Sequence, residues 1–130
     1  MMWLRVVFKR LLVYPKAIPN SFPVIRFFGT FGWIVAGIGV GGKGTSDLWY
    51  ASDEGKENVV ALCDVDMGNI SAKSRERFPK ANFYQDYRVM FDKQKDIDAV
   101  TISSPDHVHA LQTLAAMDEG VHVYVQKPLT

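Results

Sequence analysis

Cysteine is almost missing from this chain: Cys63 stands alone among 130 residues, so no internal disulfide can form and no thiolate pair can hold a metal. That usage fits a reducing compartment, and a cytoplasmic location is expected from it. A lone cysteine inside an apolar run reads first as a small buried hydrophobe. Histidine is scarce too, with three residues, and His107 and His109 have no third ligand near them in sequence, which argues against a metal site. Acid is missing from residues 1–46, which hold six Lys or Arg. The rest of the chain holds nine basic side chains and all fourteen acidic ones, a formal balance of −5. An acidic body of this kind argues against nucleic acid as a partner. No window of about 20 apolar residues exists, because Lys9, Arg10, Lys16 and Arg26 interrupt the apolar amino-terminal stretches, so no stable membrane span is expected. Repeats and low-complexity tracts are absent as well.

What remains is an ordinary globular composition, 48% apolar and 22% charged, which points away from both disorder and a membrane bundle. The length suits one domain with a modest core. Residues 1–32 stand apart, rich in Phe, Arg, Lys and Pro and without the period of helix or strand. Arg5, Lys9 and Arg10 before Leu11 imitate the start of a secretory signal, but Pro15 and Lys16 cut the apolar run short and no small-residue cleavage site follows. We read this stretch as an extension, disordered or wrongly started, ahead of a degenerate targeting segment or a membrane-surface anchor.

From Trp33 onward, apolar strands alternate with amphipathic helices, the pattern of a parallel α/β sheet. Strands are predicted at 34–38, 58–64, 82–84, 98–103 and 121–125. Helices are predicted at 45–54, 71–78, 87–93 and 106–119. Val89, Met90 and Phe91 are expected to face inward from the third helix, and Val108, Leu111, Leu114 and Ala115 from the fourth.

The first strand empties into Gly39-Val-Gly-Gly-Lys-Gly44. Two registers satisfy G-x-G-x-x-G: Gly37, Gly39 and Gly42, or Gly39, Gly41 and Gly44. The second leaves the strand uninterrupted and sets the turn just past its carboxyl end, where a backbone free of Cβ atoms can approach a pyrophosphate at a helix N-terminus. Such a match means little without supporting neighbours. One is Asp64, at the end of the second strand, where a carboxylate can accept from both ribose hydroxyls and repel a 2′-phosphate. No Arg follows it in Val65-Asp66-Met67, which favours NAD over NADP. A helix N-cap is the plainer role for Asp64, and Asp66 could fill it equally. Another neighbour is the polar turn Ser103-Ser104-Pro105-Asp106-His107-Val108-His109 at the same sheet edge, where Ser104 or Asp106 could simply cap the next helix. His122 alternates with apolar residues and reads as structural. At the chain's end Pro128 restricts Lys127 and permits a cis bond, so a lysine of fixed direction reaches the ligand-binding edge, where it can donate to a substrate hydroxyl and steady developing charge. Taken alone, Lys127 would read as an exposed lysine at a strand end.

These four motifs together, over residues 33–130, resemble the amino-terminal half of the Gfo/Idh/MocA oxidoreductases. The resemblance implies an α/β fold, an incomplete doubly wound parallel sheet of Rossmann type with five strands, binding NAD and less readily NADP. It implies a parent enzyme, a homo-oligomer, that moves hydride between nicotinamide and a sugar, cyclitol or polyol derivative. The family's Glu-Lys-Pro motif maps onto Gln126-Lys127-Pro128, making Lys127 the catalytic lysine, and the family's Pro and His after the fourth strand map onto Pro105 and His109, near the nicotinamide. Gly39, Gly41, Gly42, Gly44, Asp64, Ser104 and Gln126 complete the expected cofactor contacts. Two departures stand out. Gln126 replaces the usual glutamate. The sequence also stops before the family's last Rossmann strand, its substrate domain and the His and Asp that act as proton-transfer partners. It therefore reads as part of a longer frame, expected to bind dinucleotide weakly and to lack turnover. The competing classes are a dinucleotide-sensing module without catalysis and a methyltransferase using the same glycine turn, the latter disfavoured by Gln126-Lys127-Pro128.

Overall fold

A computed structural model of the chain describes residues 32–129. The expected extension, apart from Gly32, lies outside the described residues. From Trp33 onward the chain forms one compact unit. Its elements are β1 (Ile34–Ile38), α1 (Lys43–Ala51), β2 (Asn58–Cys63), α2 (Asn69–Arg77), β3 (Asn82–Tyr84), α3 (Tyr87–Lys93), β4 (Ala99–Ile102), a 3-10 turn (Asp106–Val108), α4 (His109–Asp118) and β5 (His122–Val125). The five strands lie in the order β3-β2-β1-β4-β5, and every pairing is parallel.

The sheet is covered on both faces, which explains why its strands read as nearly continuous apolar runs. Alternation within each strand sorts side chains between two cores. Ala36, Ile38, Ala61, Cys63, Val100 and Ile102 pack with Met90, Phe91 and Ala116 of α3 and α4. Val35 and Leu62 face the other way, onto Leu48 of α1 and Phe78 after α2. Strand order reverses between β1 and β4, so their carboxyl ends open a crevice at a topological switch point, where open α/β sheets bind ligands.

Two expectations about facing and one about helix ends are corrected. Val89 is 42% exposed although Met90 and Phe91 are buried, because three consecutive helical residues span about 200° of arc and cannot share one face. In α4 Ala115 packs against the core as expected, but the buried face is His109, Gln112 and Ala116, whereas Leu111 and Leu114 are 62% and 58% exposed. Both sets have helical spacing; the polar pair wins because its members find hydrogen-bond partners in neighbouring loops, described below. The glycine-turn helix starts at Lys43 and ends at Ala51, earlier at both ends than predicted, with Asp53 and Glu54 at positive φ before Gly55. Among the described residues no helix is long and apolar enough to cross a membrane.

Cys63 is buried, and burial pushes its thiol up to about 12, with the Asp64 and Asp86 charges adding to the effect. The folded thiol thus ionises later than an unfolded one. Its contribution to stability is fully present below the unfolded value near 9 and is lost as pH rises from there toward about 12. Urea unfolding should show Cys63 adding about 1.4 kcal/mol per pH unit to the fall in stability above that point, with a correspondingly shallower slope in Cys63→Ala. Equal slopes in the two proteins would contradict this assignment.

Candidate cofactor and substrate site

Three loops leave the carboxyl edge side by side. Gly39 N donates to Cys63 O at 2.8 Å, Ser103 N to Ile38 O at 2.8 Å and Gln126 N to Ile102 O at 2.9 Å, so each loop continues the ladder of the sheet. The strands therefore deliver the glycine turn, the Ser103 turn and the Gln126-Lys127-Pro128 turn to one crevice.

The glycine turn follows the second register. Gly39 has φ +71, and a Cβ placed on it would lie 2.4 Å from Ser104 N across the crevice. A Cβ on Gly44 would lie 1.7 Å from Gly39 O, which makes the third glycine the one that lets α1 close on β1. Gly42 has open space where its Cβ would be and no side chain caps α1 there, leaving the helix start accessible to an anion. Thr45 Oγ1 and Ser74 Oγ both donate to Val40 O, at 2.9 and 2.5 Å, and fix the turn to α1 and α2.

Asp64 lies just past β2. One carboxylate oxygen accepts from Gly41 N at 3.1 Å and the other from Asp66 N at 3.0 Å. It caps no helix, since α2 begins after Gly68, and Asp66 accepts from Gly68 N at 2.6 Å in the turn before it. Each Asp64 oxygen keeps a further lone-pair direction, so the group can receive hydroxyls while still tied to the glycine turn.

The Ser104–His109 stretch departs from its plainer expectation: neither Ser104 nor Asp106 caps a helix, and exposed Pro105 precedes the 3-10 turn. Ser104 Oγ donates to Gln112 Oε1 instead. His107 is exposed beside Asp106, while His109 is buried at 2% exposure. His109 Nδ1 lies 2.7 Å from Pro128 O and its Nε2 2.7 Å from Ser104 O. Both ring nitrogens lie within hydrogen-bond distance of protein carbonyls, and whichever one carries the proton links the ring to a loop of the crevice. His122 stacks edge-on against Trp33 at 5.5 Å, a structural contact.

Lys127 is exposed on the turn, with a cis bond to Pro128. Gln126 is half-buried, and its amide Nε2 donates to Asp47 Oδ2 at 2.9 Å. Sequence reading missed Asp47 and Gln112, and gave Ser103 no role beyond its place in the polar turn. The signal for Asp47 was an acid on the buried face of α1, between Gly44 and Leu48 at helical spacing.

Over residues 31–130 the chain matches the Gfo/Idh/MocA family, described as an oxidoreductase family with an NAD-binding Rossmann fold. An inositol 2-dehydrogenase of Salmonella typhimurium is 30% identical over 93 residues, 71% of this chain and 27% of that protein. A levoglucosan dehydrogenase of Pseudarthrobacter phenanthrenivorans is 37% identical over 82 residues, 63% of this chain and 20% of that protein. The chain therefore spans about a quarter of the length of these curated relatives. Among solved structures, the myo-inositol dehydrogenase of Lactobacillus casei, crystallised with NAD(H) and myo-inositol, superposes with a TM-score of 0.67 at 28% identity, covering 77% of this chain and 30% of that one.

Proposed function

Because the chain belongs to the Gfo/Idh/MocA oxidoreductases and is their NAD-binding Rossmann domain, we propose that it holds NAD in the crevice between β1 and β4 and serves hydride transfer to or from a sugar, cyclitol or polyol derivative in the whole protein. The observation that carries this reading is the bond from Gly41 N to Asp64 Oδ2 at 3.1 Å, which joins a phosphate-type turn to a ribose-type carboxylate at the switch point.

The residues fit the cofactor. Gly41, Gly42 and the uncapped start of α1 would take the pyrophosphate, and Asp64 the adenosine ribose hydroxyls. Its charge repels a 2′-phosphate, and Val65-Asp66-Met67 offers no guanidinium to attract one. Bound nicotinamide supplies the hydride acceptor or donor. Ser104 and Pro105 sit on the loop at the nicotinamide end. Lys127, on the adjoining turn, donates a hydrogen bond to the substrate hydroxyl, orients it and steadies the oxygen charge that develops as the carbinol carbon is oxidised. Relatives that act on inositol, levoglucosan and D-glucosides support a polyhydroxylated substrate.

Calorimetric titration of the chain with NAD, NADP and S-adenosylmethionine tests the reading. NAD should bind at least about tenfold more tightly than NADP, a difference of roughly 1.4 kcal/mol, and S-adenosylmethionine should give no saturable heat. Tighter binding of S-adenosylmethionine than of NAD would overturn it in favour of methyl transfer.

A further inference from the structure

Asp47 has no role in the proposed function, yet it is 6% exposed, at the middle of α1, and its carboxylate is met by side chains from three directions. Its Oδ2 accepts from Ser103 Oγ at 2.7 Å and from Gln126 Nε2 at 2.9 Å, and its Oδ1 pairs with the Lys43 ammonium. One carboxylate thus joins α1 to the loops after β4 and β5, with the glycine turn held through Lys43. The Lys43 pairing raises that lysine above its ordinary range, chiefly through the side-chain hydrogen bond to Asp47.

We propose that Asp47 is a positioning residue for Lys127, and that Gln126 is its matched partner. This rests on the reading of Lys127 as the substrate-contacting lysine. A buried carboxylate requires donors, and the amide of Gln126 supplies one where a glutamate would supply none. A glutamate at this position would instead bring a second negative charge to within about hydrogen-bond distance of the first, which disfavours ionisation of both. The carboxylate beneath this turn comes from α1, and Gln126 supplies a donor that it needs. Gln126 is held from one side by Asp47, and Pro128 O from the other by His109 Nδ1 at 2.7 Å. Lys127 lies between the two ties, so its backbone is fixed while its side chain stays exposed.

The test compares wild type, Gln126→Glu, Asp47→Asn and the double variant. The readout is the acetylation rate of Lys127 relative to exposed Lys73 by mass spectrometry, with the thermal midpoint measured alongside. Gln126→Glu should change the Lys127 ratio by at least about threefold and lower the midpoint, the coupling expected of groups in direct contact. Adding Asp47→Asn should restore both, because the asparagine amide can donate to the introduced glutamate and the pair is rebuilt with its polarity reversed. A double variant as impaired as Gln126→Glu, or a Gln126→Glu protein with wild-type values, would overturn the proposal. A wild-type chain that failed to bind NAD while the four proteins followed this pattern would remove the proposed function and leave the pairing intact.

Discussion

Gly39→Ala should abolish measurable NAD binding and lower the stability of the domain. Two independent penalties meet at this position. The residue sits at φ +71, where an L side chain costs about 1–2 kcal/mol. The added methyl would also stand 2.4 Å from Ser104 N and 2.6 Å from Ser104 Cα, both backbone atoms that cannot rotate away. Relief requires the β1 and β4 loops to part, which opens the crevice itself, and overpacking of this kind adds about 1–3 kcal/mol. The combined cost lowers the unfolding midpoint, and the parted loops no longer present the cradle that NAD needs. Gly42→Ala is the control for the stability loss, since its Cβ would meet no protein atom within 4 Å although its φ is also positive, at +51. It should suffer the dihedral penalty without the clash. Equal losses of stability in the two variants would show that contact between the loops does not matter.

Asp64→Ala should weaken NAD binding by about 10- to 100-fold, the range expected on losing hydrogen bonds to a charged group. The same substitution should leave NADP affinity unchanged or improved, because the carboxylate that repels a 2′-phosphate is gone. Preference for NAD therefore collapses from both directions, and the NAD to NADP ratio is the sensitive quantity. The protein also loses the acceptor for Gly41 N and Asp66 N, at 3.1 and 3.0 Å, so the glycine turn becomes less ordered before any cofactor arrives. Asp64→Asn separates the two effects. The amide oxygen can still accept from one backbone N–H, but the charge is absent, so selectivity should fall more than affinity. Unaltered selectivity in both variants would contradict the ribose role of Asp64.

The strands were legible in the sequence because a parallel sheet covered on both faces concentrates apolar residues into short runs, and β1, β3 and α3 lie where those runs predict. The glycine register was legible for a related reason: only Gly39, Gly41 and Gly44 set the turn beyond the strand end, and the near-contact of Gly44 with Gly39 O shows why the third is needed. The rotation of α4 was not legible. Leu111 and Leu114 have the spacing of a buried face, yet His109 and Gln112 are inside because Pro128, nineteen residues from His109, and the Ser104 turn supply their partners. Hydrophobic periodicity cannot register a hydrogen bond to a distant loop. Asp47 was hidden in the same way, its partners Ser103 and Gln126 lying 56 and 79 residues further along. The parts of the site that sequence reading finds are those set by backbone geometry, at glycines and strand ends. The parts it misses are buried polar side chains whose partners come from other elements.

The most direct test of the cofactor cradle is an NMR titration of the isotope-labelled chain with NAD, following backbone amide signals. Saturable shifts should appear at Gly41, Gly42, Lys43, Asp64 and Ser104, all at the carboxyl edge around the switch point, while Asn58, Lys80 and Gln94 at the opposite edge stay unmoved. Shifts confined to that opposite edge, or none that saturate, would contradict the assignment of the glycine turn and Asp64 as the dinucleotide site.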